Sequence, residues 1–212
     1  MNADSQLQAA DRRTRERERK IEGLLSAAAQ EFAAKGYHRT SMEDIARAAE
    51  YATGAIYRYF SGKEALFMGL LERQMSGVTR HVQEAVKAAT DPLDALRVVV
   101  ESQIEYASRD ISLIQIYFSE GVEVMKEPAS QKRLEALRNR FESWLAARIT
   151  VGQKAGDFRP GDPRLFTMII QGMVVALFRQ WASGLLSPKS WKSQARFVSE
   201  CALRSISRST PP

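Results

Sequence analysis

From Lys20 onward the apolar side chains recur at the three- and four-residue spacing of a helix, and no stretch alternates apolar with polar as a half-buried strand requires. Ile21, Leu24, Leu25, Ala28 and Phe32 share one face of a first helix, which Gly36 ends. Thr40 and Ser41 precede Met42, Ile45, Ala46 and Ala49, with Glu43 and Asp44 each three residues behind a hydroxyl, so either pair can close a capping box on a short second helix. A third short helix is expected from Thr53 to Phe60. Ile56 and Phe60 form its inner face and leave Thr53, Ala55, Tyr57 and Arg58 pointing elsewhere. A long helix then carries Leu66, Phe67, Leu70, Leu71, Met75 and Val78.

Beyond Val78 the helical pattern is broken only by turn chemistry, at Thr90-Asp91-Pro92, Arg109-Asp110, Glu127-Pro128, Gly152 to Pro163 and Ser187-Pro188. The chain therefore reads as all-α, with a three-helix helix-turn-helix domain followed by a helical bundle. The expected boundaries are a flexible basic arm over 1–19, the helix-turn-helix over 20–66, the bundle over 67–207 and a flexible tail over 208–212.

Several function classes are disfavoured by what the chain holds. A single cysteine, Cys201, and two histidines, His38 and His81, cannot build a thiolate or histidine metal site, so no metal and no cofactor is expected. No nucleophile elbow, zinc-protease or nucleotide-binding motif occurs, and Gly62-Lys63 lacks the glycine and hydroxyl spacing of a phosphate-binding loop. An enzyme is not expected. The longest apolar run, Leu165 to Phe178, contains Gln171, is flanked by Arg164 and Arg179, and is 14 residues long, which reads as a buried core helix and not a membrane span. The N-terminal residues lack the layout of a signal peptide, so the expected location is the cytoplasm.

A net charge of +6 favours an anionic partner, although it is unevenly spread. Residues 1–63 hold 11 Lys and Arg against 9 Asp and Glu, residues 64–186 hold 15 against 15, and residues 187–212 hold 5 against 1. The DNA argument therefore rests on the short helices. Two of them joined by a tight turn have the layout in which the second enters the major groove. Thr53 and Arg58 bond phosphates or base edges, Gly54 and Ala55 admit close backbone approach, Tyr57 donates to a phosphate, and Lys63 sits at the next helix start, where an ammonium and free N–H groups clamp an anion.

The stretch Lys20 to Leu71 resembles the DNA-binding domain of the TetR family of transcriptional regulators. The likeness is carried by Ala29, Phe32, Gly36-Tyr37, Thr40-Ser41-Met42, Ile45-Ala46 and Ala49, then Thr53-Gly54-Ala55-Ile56-Tyr57, Phe60, Lys63-Glu64 and Leu66. It implies DNA contacts from Thr40 or Ser41, Thr53, Gly54, Ala55, Tyr57, Arg58, Tyr59 and Lys63, and a ligand-binding, dimerising C-terminal domain. One departure stands out. Where the family usually has Gly-Val-Ser between the short helices, this chain has Glu50-Tyr51-Ala52. Glutamate accepts a positive φ only at a cost, and Ala52 removes a helix cap that Thr53 is expected to replace in part.

In the bundle, Tyr106, Gln115, Tyr117, Phe118, Phe141, Trp144, Met168, Gln171 and Phe178 are the candidate walls of a mostly apolar effector pocket with a few orienting polar groups. The run Leu165 to Phe178 is apolar nearly all round and needs cover on more than one side. A second copy packing through the last two helices would supply it, and would match the symmetry of a palindromic operator. The expected function is a dimeric repressor on double-stranded DNA, released by a lipophilic small molecule. A second reading is a helical small-molecule-binding or protein-interaction module without operator recognition.

Overall fold

The computed structural model describes residues 3–208. Among them are nine α-helices and no β-strand, and the chain divides into two compact units, residues 1–70 and 71–212.

The first unit holds α1 (Ala3–Lys35), α2 (Met42–Ala48), α3 (Thr53–Ile56) and the first turns of α4 (Lys63–Ala85). The expected apolar face of α1 is buried at Leu24, Leu25, Ala28 and Phe32, and meets Ile45, Ile56, Leu66 and Phe67 in one core. Phe32, Tyr37 and Phe67 stack around its end with ring centroids 5.2 to 6.1 Å apart. Residues 3–19, expected to be a mobile arm, continue α1 as helix, and Asp11 to Arg19 are exposed along it. The Arg and Glu content of residues 11–19 and the i,i+4 ion pair of Lys20 with Glu16 at 2.8 Å suit an exposed stretch of helix.

Of the two possible capping boxes on α2, the structure forms the one at Ser41. Its hydroxyl accepts from Asp44 N–H at 3.0 Å, and the Asp44 carboxylate accepts from Ser41 N–H at 3.0 Å. The Ser41 N–H, then its hydroxyl, then Lys35 hold the Asp44 carboxyl down at about 2, from an ordinary 3.8. The folded value is the lower one, so the stabilisation is complete above about pH 3.8 and disappears as pH falls toward 2. Thermal midpoints measured across that window should therefore fall more steeply for the native protein than for Asp44→Asn; equal slopes would contradict this assignment.

The second unit contains the rest of α4, α5 (Pro92–Ser108), α6 (Ser112–Val124), α7 (Pro128–Ala155), α8 (Pro163–Ala182) and α9 (Trp191–Ile206). Two of the sequence breaks are Asp-Pro starts: Asp91 caps α5 by accepting from Asp94 N–H, and Asp162 caps α8 by accepting from Arg164 N–H, each with proline next. The core runs through Ile104, Leu145, Ile149, Ile170, Val174, Trp181, Ala202 and Ile206. The Trp181 indole N–H donates to Gln194 Oε1 at 2.7 Å, which removes the cost of burying it.

By length and composition α8 could cross a membrane. In this fold one side of it, Phe166, Ile170, Val174, Leu177 and Trp181, belongs to the core, while Leu165, Met168, Ile169 and Val175 on the other side are 40 to 61% exposed. Phe197 of α9 is 68% exposed. Of the expected C-terminal tail, Arg208 is held by its N–H to the Asp157 carbonyl at 3.2 Å, and residues 209–212 lie outside the described residues.

Candidate nucleic-acid interface and effector cavity

The turn between α2 and α3 is set by backbone hydrogen bonds. Tyr51 N–H donates to the Ala46 carbonyl at 2.9 Å and Glu50 N–H to the Arg47 carbonyl at 3.1 Å, the paired bonds of a Schellman motif. That motif needs a left-handed residue after the helix cap, and Glu50 takes it with φ of 60°. Glu50 is the single non-glycine residue with positive φ among the described residues. The next residue but one, Ala52, caps α3 without any side-chain hydrogen bond. Thr53 is the first residue inside α3, so the expected substitute cap does not form.

Helix α3 is shorter than expected, Thr53–Ile56, and continues as turns in which Tyr59 and Phe60 N–H donate to the Ile56 carbonyl. Ile56 is fully buried and orients the element. Gly54, Tyr57 and Arg58 are consequently exposed, with Thr53, Ala55 and Tyr59 half-buried beside them. A methyl group on Gly54 would meet nothing within 4 Å, so packing does not require the glycine, and its bare backbone is open to whatever approaches this face.

Two expected contacts are corrected. Thr40 is 2% exposed, and its hydroxyl donates to the carbonyls of Gly36 at 2.8 Å and Glu31 at 3.2 Å, closing the loop after α1. Lys63 reaches back over the same loop. Its ammonium donates to the carbonyls of Tyr37, Thr40 and His38 at 2.8, 2.9 and 3.3 Å and lies 4.4 Å from the centre of the Tyr37 ring. Three N–H donors thus meet three carbonyls, and the charge serves the loop rather than an external phosphate. Ser41 remains half-exposed, with its hydroxyl engaged in the cap.

In the second unit a cavity of about 520 Å³ lies among α4, α5, α6, α7 and α8. Leu71, Met75, Val78, Ile114, Leu134 and Val175 give it an apolar wall. Of the expected pocket residues, Tyr117, Phe118, Phe141, Met168, Gln171 and Phe178 line it. Gln115 is exposed on the far side of its helix, Trp144 packs on Phe141 under Arg148, and Tyr106 fills a notch over Gly77, where a Cβ would stand 2.0 Å from its hydroxyl. These three lie outside the lining of this cavity, because aromatic or amide character alone does not show where the bundle opens.

The polar part of this cavity includes the expected Gln171 and Tyr117, and two arginines that sequence reading did not mark. Gln171 Nε2 is buried with no hydrogen-bond partner, an arrangement that is costly until an acceptor arrives. Arg138 stacks on Tyr117 and donates to its hydroxyl, Tyr117 meets Phe118 edge-on at 5.1 Å, and Arg179 stacks on Phe118 at 5.7 Å. Both arginines line the cavity and are exposed, so two guanidiniums mark its opening. Glu142 is the acidic group on the same wall.

Residues 24–70 match the family described as bacterial regulatory proteins, tetR family, and residues 89–190 match the tetracyclin repressor-like C-terminal domain. The chain belongs to the TetR family. This TetR-family protein is a DNA-binding transcriptional regulator and not an enzyme. It is 26% identical over 159 residues to the fatty acid metabolism regulator protein of Bacillus subtilis, a match covering 74% of this chain and 81% of the relative. The fold is shared with the transcriptional regulator FadR of Bacillus subtilis in complex with stearoyl-CoA, with TM-score 0.77, 22% identity and coverage of 87% of this chain and 98% of that one. It is shared also with AibR in complex with isovaleryl coenzyme A and operator DNA, with TM-score 0.66, 21% identity and coverage of 86% and 97%.

Proposed function

We propose that this TetR-family regulator is a cytoplasmic repressor that binds a palindromic operator as a homodimer and leaves it when an acyl-CoA thioester occupies the cavity. The observation that carries the ligand class is the cavity itself: an apolar chamber with one unpartnered buried amide donor and two guanidiniums at its opening. An acyl chain suits the wall, a thioester carbonyl suits Gln171, and nucleotide phosphates suit the bidentate forks of Arg138 and Arg179. The acyl-CoA complexes of two proteins sharing its fold support the same class.

On DNA, Thr53, Gly54, Ala55, Tyr57 and Arg58 are assigned to the major groove, and Tyr59 and Ser41 to its phosphate edge. The exposed Leu165 and Ile169 of α8 with Phe197 of α9 are assigned to the second copy, which spaces two recognition elements roughly 34 Å apart. Helix α4 starts in the DNA-binding unit and walls the cavity with Leu71, Met75 and Val78, so its position is the variable an effector would bias.

Fluorescence anisotropy on DNA flanking the gene tests this. Long-chain acyl-CoA should release the native protein, with a coupling of about 1–3 kcal/mol, or five- to 150-fold in affinity. Gln171→Leu should need about tenfold more thioester, one unmet buried hydrogen bond being worth roughly that. Arg138→Ala with Arg179→Ala should blunt the response to acyl-CoA more than to the free acid. The protein should sediment at twice its 23.8 kDa, and Phe197→Glu should lower both that mass and operator affinity. Release by no thioester that binds would overturn the effector assignment.

A further inference from the structure

The basic stretch ahead of the first core residue is sorted by face. Arg13, Arg17 and Lys20 recur at four and three residues along α1 and line a groove completed by Arg58 and Tyr59, while Arg15 and Arg19 project from the opposite side of the helix. The groove encloses about 270 Å³ and holds four cations against one carboxylate, Glu16, which is engaged by Lys20 at 2.8 Å. Glu16 and the ammonium it bonds hold each other charged: the lysine pKa is raised and the glutamate pKa lowered. None of Asp11 to Arg19 is buried, so packing does not account for the basic face that Arg13 and Arg17 present to this groove. Arg58 belongs both to this groove and to the exposed face of the recognition element, which makes the two surfaces continuous.

We propose that the N-terminal turns of α1 form, with Arg58, a second DNA site that takes the sugar-phosphate backbone beside the major-groove contact. The Arg13 and Arg17 guanidiniums each donate to two phosphate oxygens in fork geometry, and Arg58 joins the groove to the base-reading element. The helical form of residues 3–19 is part of the device. A coil would scatter these charges, whereas the helix holds Arg13 and Arg17 on the side of the recognition element.

The test uses the full chain and the salt dependence of its binding to a random-sequence duplex. For each phosphate no longer neutralised, the slope of log affinity against log salt should fall by about 0.9. The pair Arg13→Gln with Arg17→Gln should therefore reduce the slope by about 1.8 and weaken binding to operator and random DNA alike, of order tenfold at moderate salt. Arg15→Gln with Arg19→Gln removes the same net charge from the opposite face and should leave the slope within experimental error of the native protein. An unchanged slope in the first pair, or an equal fall in both pairs, would overturn the site. Helical circular dichroism shows whether each variant keeps α1, and Tyr57→Phe, expected to affect affinity without touching the groove, separates failure of this site from failure of the recognition element.

Discussion

Lys63→Met should lower the stability of the DNA-binding unit by about 2–3 kcal/mol and leave the salt slope of DNA binding unchanged. The side chain spans 23 to 26 residues of sequence to bond the carbonyls of Tyr37, His38 and Thr40. Hydrogen bonds to a charged donor are worth about 1.5–3 kcal/mol, and the ammonium also sits over the Tyr37 ring for roughly 0.5–1 kcal/mol more. Water reaching the exposed His38 end of the loop recovers part of the loss. Methionine keeps the stem and its packing, so the variant isolates the charge. Lys63→Arg should rescue little, because a planar fork cannot point three N–H bonds at carbonyls gathered around one atom. Thermal unfolding gives the first number, and anisotropy well below the midpoint gives the second. A slope lower by about 0.9 in folded Lys63→Met would return this lysine to phosphate binding.

The same residue shows where sequence reading stops. Short-range chemistry was legible: the apolar face of α1, the capping choice narrowed to Thr40 or Ser41, the Asp-Pro helix starts and the awkward turn at Glu50 all depend on neighbours within a few positions. Which hydroxyl capped α2 was not, since it depends on the Thr40 side chain being drawn under the end of α1 by the Gly36 and Glu31 carbonyls. Lys63 read as an anion clamp because its partners are distant in sequence. In the bundle, side-chain type marked Tyr117, Phe118, Phe141, Met168 and Phe178, yet it could not tell the open chamber from the closed notch that holds Tyr106 over Gly77. Arg138 and Arg179 were invisible for the opposite reason, since a lone arginine on a helix reads as solvated surface until its aromatic neighbour is known. Residues 3–19 carry almost no apolar signal, so they read as an arm, and their helix rests on propensity and ion pairs that periodicity does not register.

Glu50→Gly combined with Ala52→Ser should stabilise the DNA-binding unit by about 2 kcal/mol and tighten its hold on any duplex. Glu50 occupies the left-handed position of a Schellman turn at φ of 60°, where an L-residue with a side chain gives up about 1–2 kcal/mol and glycine gives up nothing. Ala52 stands at the N-cap of α3 with no side chain able to accept, and serine there is worth about 1 kcal/mol. The two sites are two residues apart in one turn, so the sum is an upper bound and the double variant should be compared with each single. At about 2–4 °C per kcal/mol for a chain of this size, the thermal midpoint should rise by roughly 5 °C. The DNA effect has a separate origin. Removing an exposed carboxylate beside the recognition element relieves a repulsion of up to about 1 kcal/mol in water, or a few-fold in affinity, and that gain should fade as salt rises while the stability gain should not. Glu50→Gln divides the two, because it removes the charge and keeps the strained backbone: it should reproduce the affinity change with little gain in midpoint. If Glu50→Gly failed to raise the midpoint, the positive φ would carry no cost in this turn and the departure at Glu50 would be electrostatic alone.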